Sequence, residues 1–293
     1  MSVTCASRMR RAGYTLLAPF LGAFVIFLVL PLAQAGRLAL EQTYGPQASR
    51  FVLFDNFVNL AADPLFWKAV GNTLVYTAGT ILIQLPLALS LALLLNHPRL
   101  RGRAIYRLIF FSPQLMGMVF VAMLAGLMFE KRSGLINRAL HALVGFDLDF
   151  AWLQVYIMPA MVITTLWMYV GFNMIYFLAA LQNVERSLVE AASVDGAGPW
   201  ARFRHVTIQA IRPVGSFVVL LSIIGSLQLF ELPYVMLSAT AGPQNRGLTI
   251  VMYLYQNGFE VGDLGYASAI GWVLGFILVA VAAVQVRVAQ ERA

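Results

Sequence analysis

Residues 153–181 read LQVYIMPAMVITTLWMYVGFNMIYFLAAL, twenty-nine positions without a charged side chain. About 20 mostly apolar residues suffice for a helix to cross the roughly 30 Å of bilayer hydrocarbon, so this stretch reads as a membrane span and decides the fold class. Five further stretches pass the same test, near residues 14–36, 69–95, 108–129, 214–236 and 264–286. Pro31, Pro86, Pro113, Pro159 and Pro233 fall inside or near the ends of these spans, where neighbouring helices can satisfy the freed backbone groups. The expected architecture is an all-α polytopic membrane protein with six transmembrane helices, kinked in places, forming a single membrane domain over residues 1–293.

Composition points the same way. Hydrophobic residues make up 60% of the chain and charged residues 11%, against roughly 45 to 50% and about 25% in soluble proteins. Soluble folds cannot bury that much apolar surface, and disordered, collagen-like and coiled-coil chains are more polar or more repetitive. Cys5 is the only cysteine, which excludes an intrachain disulfide. No period of about 20 to 50 residues repeats, so a repeat array is not supported.

The net charge of +7 comes from eighteen arginines and two lysines scattered between the apolar blocks. A nucleic-acid surface would gather them on one face, so no nucleic-acid partner is expected. Short cytoplasmic loops of membrane proteins carry excess Lys and Arg. With the N-terminus taken as inside, the inner segments hold thirteen cations, Arg8, Arg10, Arg11, Arg99 and Arg101 among them, against the four acids Glu185, Glu190, Asp195 and Glu291. The outer segments hold seven cations and eight acids. Both termini are therefore expected on the cytoplasmic side. Ala33-Gln34-Ala35 after a basic start has the outline of a cleavable signal, but the apolar run exceeds the roughly 7 to 15 residues of a signal core and reads as a span.

Between spans three and four, Leu135, Ile136, Ala139, Leu140, Leu143 and Val144 form one apolar stripe, with Asn137, Arg138 and His141 away from it. That pattern suits a short helix lying on the outer membrane surface. In the sixth span Ala267, Gly271 and Gly275 make a small-residue face, open to close helix packing or to a subunit contact.

Catalytic chemistry is scarce. His97, His141 and His205 all lie in connecting segments, no H-E-x-x-H spacing occurs, and neither Lys68 nor Lys131 follows a phosphate-binding glycine pattern. The expectation is a non-enzymatic chain with no metal and no cofactor of its own. Ion-coupled carriers keep intramembrane relay groups, and Glu231 in the fifth span is the sole candidate. A transport role would thus be powered from outside the chain.

The long inner loop 182–213 carries a second pattern. Ser187-Leu188-Val189-Glu190 fits a capping box that starts a helix. That helix passes through the small residues Ala191 and Ala192 and ends at Asp195-Gly196, where glycine accommodates a left-handed turn. Pro199 suits the first turn of a second helix carrying Trp200, Phe203, Val206 and Thr207. Two readings fit: a helical knob that plugs a cleft in another protein, or a capped hairpin lying on the membrane.

Glu190-Ala191-Ala192, Asp195-Gly196-Ala197, Phe203, Val206, Ile208 and Pro213 resemble the signature loop of binding-protein-dependent ABC importer permeases. One position departs, since Gln209 stands where a proline usually closes the pattern. The resemblance covers nearly the whole chain and is nearest to the sugar and glycerol-3-phosphate permeases related to the larger maltose-transporter membrane subunit. Supporting stretches are Asp63-Pro64-Leu65-Phe66-Trp67, Asn72-Thr73-Leu74, Leu100-Arg101-Gly102-Arg103, Gly171-Phe172-Asn173-Met174 and Leu264-Gly265-Tyr266-Ala267-Ser268-Ala269. The large extracytoplasmic insertion of the maltose subunit is missing.

The resemblance implies a type I permease fold in a bacterial or archaeal cytoplasmic membrane, surrounded by membrane lipid. It implies a second related permease subunit, two cytoplasmic ATPase subunits that hold ATP and Mg, an extracytoplasmic solute-binding protein and a carbohydrate substrate. Glu190, Ala191, Ala192, Asp195, Gly196, Ala197 and Phe203 would then form the element that couples to the ATPase. The resemblance also places the solute path in the spans flanking that loop.

Polar residues within spans are costly and usually face a cavity or another helix. In the fifth span Gln228 lies three residues before Glu231 on one expected helical face, with Ser222 and Ser226 beside it. In the fourth, Asn173 stands next to a face of Tyr169, Phe172 and Tyr176. Asn173, Tyr176, Ser222, Gln228 and Glu231 are the candidates for solute contact, with helix packing the competing account. Gln84 and Asn72 are expected to serve helix contacts. Two alternatives stay open: glycerol-3-phosphate uptake, whose phosphate would require cations near the path, and a scaffold that docks a soluble partner without transport.

Overall fold

The computed structural model describes residues 16–43, 49–145 and 150–290. Cys5, Arg8, Arg10, Arg11, Glu291 and Arg292 lie outside the described residues. The helices in chain order are α1 (Leu16–Leu38), α2 (Asp55–Ala62), α3 (Pro64–Asn96), α4 (Arg103–Leu115), α5 (Met118–Met128), α6 (Leu135–Val144), α7 (Ile157–Gln182), α8 (Arg186–Val194), α9 (Pro199–Leu227), α10 (Glu231–Met236), α11 (Ile250–Tyr255) and α12 (Leu264–Gln290). Strands β1 (Glu41–Thr43) and β2 (Ser49–Phe51) pair antiparallel, Gln42 opposite Arg50. Five helices are long and apolar enough to span a membrane, and α4 with α5 makes a sixth, broken span.

The third span is expected as one helix over 108–129, and it is bent by 95° between α4 and α5. Pro113 opens a 3-10 turn, after which Met116 and Gly117 are extended, with ψ of 141° and 143°. The chain cannot continue an α-helix through two such residues, so its direction changes there.

Pro31, Pro86, Pro159 and Pro213 are absorbed without a break. Pro31 and Pro86 each follow directly on a π-helical turn, Val25–Val29 and Thr80–Gln84. A helical proline frees the carbonyl four residues back, here Phe27 and Leu82, and both lie inside the wide turn that re-registers the hydrogen bonds. Pro159 sits in the first turn of α7, where its missing N–H costs nothing. With Gln209 supplying an N–H, α9 runs 29 residues from Pro199 through Pro213 to Leu227.

The chain forms two compact units. One comprises the described residues up to Asp63 together with Leu254–Leu274. Here Asn56 donates to the carbonyls of Ala39 and Glu41, each at 2.9 Å. The Thr43 hydroxyl donates to Asp263 (3.1 Å) and accepts from the Gly265 N–H (3.0 Å), and Tyr266 donates to Asp63 (2.7 Å). Two of the three residues of the small-residue face of α12 pack internally, Ala267 against Gly258 and Gly271 against Leu254, while nothing lies within 4 Å of a Cβ placed at Gly275. The two-stranded hairpin was not foreseen, because three-residue strands carry no periodicity to detect.

The second unit comprises Pro64–Tyr253 and the chain from Gly275 onward. Its core has two parts. Tyr76, Ala125, Met161, Leu232 and Met236 bring together α3, α5, α7 and α10. Ala88, Ala92, Met174, Phe177 and Val218 join the far half of α3 to α7 and α9. Alanines at the contacts let the backbones approach, as helix packing in lipid requires. Phe120, Leu127 and Leu82 are exposed at 70% or more, a surface that suits hydrocarbon.

Helix α6 appears where the amphipathic pattern places it, but Asn137 is turned inward rather than lying on the polar face. Its amide donates to the carbonyls of Lys131 (2.9 Å) and Phe150 (3.0 Å), and its oxygen accepts from the Trp152 indole (2.8 Å). Just before it, Glu130 accepts from the Ser133 N–H and hydroxyl and from the Arg132 N–H, bonds that hold its carboxyl below the ordinary carboxylate range. Asn137→Ala strands two carbonyls and an indole N–H, so it should cost about 2 kcal/mol. The midpoint of thermal unfolding of the purified protein measures this, and an unchanged midpoint would mean the three bonds are exchanged freely for water.

Candidate functional site

The first helix of the inner loop is capped two residues before the expected Ser187. Helix α8 opens at Arg186 with Glu185 in the cap position and no side-chain cap bond, so the Ser187–Glu190 box is not formed. The Ser187 hydroxyl turns instead to the Glu185 carboxylate, 3.4 Å away. The helix end matches expectation. Gly196 has φ +81°, the Ala197 N–H returns to the Ala192 carbonyl (2.9 Å) and the Gly196 N–H to Ser193 (3.2 Å). That pair of bonds satisfies two of the orphan carbonyls of the helix end.

Pro199 opens α9 as expected, but the second helix of the loop is not separate. It passes through the π turn Phe203–Thr207 straight into the fifth span. Helix α8 is joined to this long helix by the short connection through Asp195, Gly196, Ala197 and Gly198. On the outer surface of this element Leu188, Val194 and Trp200 are 51%, 88% and 70% exposed. Glu190, Ala191, Asp195 and Gly196 are exposed, Ala192 and Ala197 are partly covered, and Phe203 stacks near Trp200 at 5.5 Å.

The candidate path residues separate into two groups. Asn173 and Ser222 line a cavity of about 170 Å³ together with Tyr169, Phe172, Gly225 and Ser226. The third wall comes from α3, through Tyr76, Thr80 and Gln84. Tyr176 lies off this cavity, packed edge-on to Phe172 at 5.1 Å and near Phe217 at 6.1 Å. Gln228 and Glu231 are exposed and do not share a helical face, because α9 stops at Leu227 and α10 starts at Glu231. Pro233 has no N–H for the Leu229 carbonyl four residues back, and the Thr249 hydroxyl donates to that carbonyl instead, at 2.7 Å.

Sequence reasoning missed the α3 wall. The signal was present as Tyr76, Thr80 and Gln84 at four-residue intervals on one helix. Asn72 behaves as expected and donates to the carbonyls of Asn245 (2.8 Å) and Leu248 (2.9 Å), while Thr73 accepts from the Ile250 N–H (3.1 Å). These two side chains supply polar partners to an irregular segment held against a span, the condition under which non-helical backbone survives at membrane depth.

The chain was compared with known proteins. The family model described as "Binding-protein-dependent transport system inner membrane component" matches residues 84–292. The lactose transport system permease protein of Rhizobium radiobacter is 33% identical over the full length of both chains. The arabinooligosaccharides transport system permease protein of Bacillus subtilis is 34% identical, covering 95% of this chain and 88% of that one. Among solved structures, a bacterial alginate ABC transporter in complex with an alginate pentasaccharide-bound periplasmic protein superposes with a TM-score of 0.84 at 23% identity, over 97% of this chain and 96% of that one. The broken third span, the capped inner helix and the flanking polar cavity thus sit in a chain that belongs to the family of binding-protein-dependent transport system inner membrane components.

Proposed function

We propose that this chain forms the translocation path of an ATP-driven ABC importer for a mono- or oligosaccharide delivered by a solute-binding protein. The observation that carries the reading is one rigid helix, α9, with the exposed capped knob of α8 at one end and the polar cavity wall of Ser222 and Ser226 further along. On this reading a push on the knob passes through the short turn at Gly196 into α9 and along that helix to the cavity. The two similar permeases named for lactose and arabinooligosaccharides favour a carbohydrate.

On this reading the chain works as one permease domain over residues 1–293. It pairs with a second related membrane subunit, and two separate ATPase subunits hold ATP and Mg²⁺ and do the hydrolysis. An extracytoplasmic binding protein loads the solute, and both termini face the cytoplasm, an orientation that the arginine distribution supports. Glu190, Ala191, Ala192, Asp195, Gly196, Ala197 and Phe203 form the ATPase-docking element. Asn173 and Ser222 contact solute in the cavity; Gln228 and Glu231 stand at the break between α9 and α10, beside the route. Docking must differ in free energy between the outward and inward states for ATP to drive the change.

The test is uptake of radiolabelled sugars into proteoliposomes holding the complete complex, with loaded binding protein and internal ATP. Uptake of a neutral sugar that requires both ATP and binding protein is the expected result. Absence of uptake for every sugar offered, with the complex intact, would return the chain to the scaffold alternative.

A further inference from the structure

We infer that Gln84 is a specificity-determining residue: its amide oxygen accepts a hydrogen bond from a hydroxyl of a neutral, hydroxyl-rich solute, and the cavity it lines selects against anions. The inference rests on the proposed role of that cavity as the carbohydrate path.

Gln84 closes the π turn Thr80–Gln84 in the middle of α3 and is 3% exposed. Its Oε1 is buried and has no hydrogen-bond partner. A buried acceptor without a partner is rare in native proteins and calls for a reason. Here the surroundings supply one, because the side chain borders the cavity shared with Asn173, Ser222 and Ser226. π turns recur at functional sites, where the wider backbone re-aims side chains.

Three of the hydroxyls around the cavity are committed to backbone: Thr80 donates to the Tyr76 carbonyl (2.8 Å), Thr165 to Met161 (3.0 Å), and Ser226 to Ser222. Gln84 presents a buried, unmet acceptor beside Asn173 and Ser222, and its natural complement is a donor hydroxyl. A site built to hydrogen-bond a substrate hydroxyl rejects analogues lacking it far more strongly than an apolar pocket rejects a missing methylene.

Charge decides the solute class. Among the described residues no arginine, lysine or histidine lines this cavity. An anion would meet the unmatched Gln84 oxygen, with no cation to pair it in a medium where charge is costly. A neutral polyol meets no such opposition.

The experiment uses the complete complex in proteoliposomes with one saturating binding protein throughout. The probes are radiolabelled lactose, its monodeoxy analogues, arabinotriose and glycerol 3-phosphate. Gln84→Met keeps the length of the side chain and removes the strong acceptor. In the native complex one deoxy position should lower uptake per ATP hydrolysed by about tenfold. In Gln84→Met the parent sugar should fall by a similar factor, and that deoxy position should cost nothing further, the signature of a direct contact. Because the binding protein is constant, its own preferences cancel in the comparison.

Three results would overturn the inference: equal uptake by Gln84→Met and native, equal losses for parent and deoxy sugars, or glycerol 3-phosphate uptake as fast as that of the neutral sugars. Gln84→Leu replaces Gln84→Met should the first not assemble; failure of both would make the glutamine structural and overturn the inference as well. If the native complex imports no sugar at all, the carbohydrate reading itself falls, an outcome distinct from sugar import that ignores Gln84.

Discussion

Combining Glu190→Ala with Gly196→Pro abolishes solute-stimulated ATP hydrolysis by the assembled transporter while the subunits still copurify. The larger part of the effect comes from Gly196, whose φ of +81° is far from the roughly −65° that a proline ring imposes. Proline also removes the N–H that bonds the Ser193 carbonyl. Both losses fall on the turn that ends α8, and together they should cost about 3 kcal/mol or more locally. The helix then no longer ends where it does, and the exposed Val194 and the small Ala191 lose their fixed presentation. Glu190→Ala removes the one carboxylate within α8 itself. Helix α8 meets the first turns of α9, outside the cores that hold the membrane helices together, so those helices should assemble normally. ATPase activity measured with loaded and empty binding protein reads the result. Equal stimulation in native and altered complexes would remove the coupling role from Glu190 and Gly196.

Gly171→Ala should destabilise the folded chain by about 3 kcal/mol or more. A Cβ at Gly171 would lie 1.9 Å from the Phe110 carbonyl oxygen, 2.3 Å from its carbon and 2.8 Å from the Phe111 nitrogen. All three are backbone atoms, so no side chain can rotate away. One methyl group would have to push α4 off α7, two elements that meet where α4 ends. Overpacking usually costs about 1 to 3 kcal/mol; with rigid backbone on both sides the upper end or more is expected, against a total stability of about 5 to 15 kcal/mol. Size-exclusion chromatography and thermal unfolding of the detergent-solubilised chain measure it. A native-like midpoint for Gly171→Ala would show that the two helices separate by more than an ångström at little cost.

The parts of the molecule legible in its residues are those whose cause is local. Residues 153–181 announce α7 because a spanning helix satisfies its own backbone and needs only length and apolarity. Gly196 announces the end of α8 because a left-handed residue is a property of one position. The same local logic misjudged Ser187, which has the composition of a cap but turns to Glu185, and Asn137, whose polarity suggested the outer face. Burial of Asn137 depends on Lys131, Phe150 and Trp152 arriving around it, and Trp152 is fifteen residues away.

The candidate site was half legible. Asn173 and Ser222 are conspicuous as polar groups in apolar spans, and the structure brings them to one cavity. Gln228 and Glu231 were equally conspicuous, yet their expected common face requires a continuous helix, and Leu229 gives its carbonyl to Thr249 twenty residues on. Gln84 carries the same chemical signal as Asn72. One lines the cavity with its oxygen unmet and the other holds the backbone of Asn245 and Leu248.

By itself, then, the sequence determined six apolar spans, a charge distribution that predicts their orientation, a glycine-terminated inner helix and membership in a family of transport components. Each follows from transfer free energy, backbone conformation or a motif, quantities that a short window contains. Only the tertiary structure decided which polar side chains converge and which glycine admits no methyl group. Those outcomes depend on partners separated along the chain by tens to more than a hundred residues, such as Gly171 and Phe110 or Thr73 and Ile250, and no local preference records whether such partners will meet.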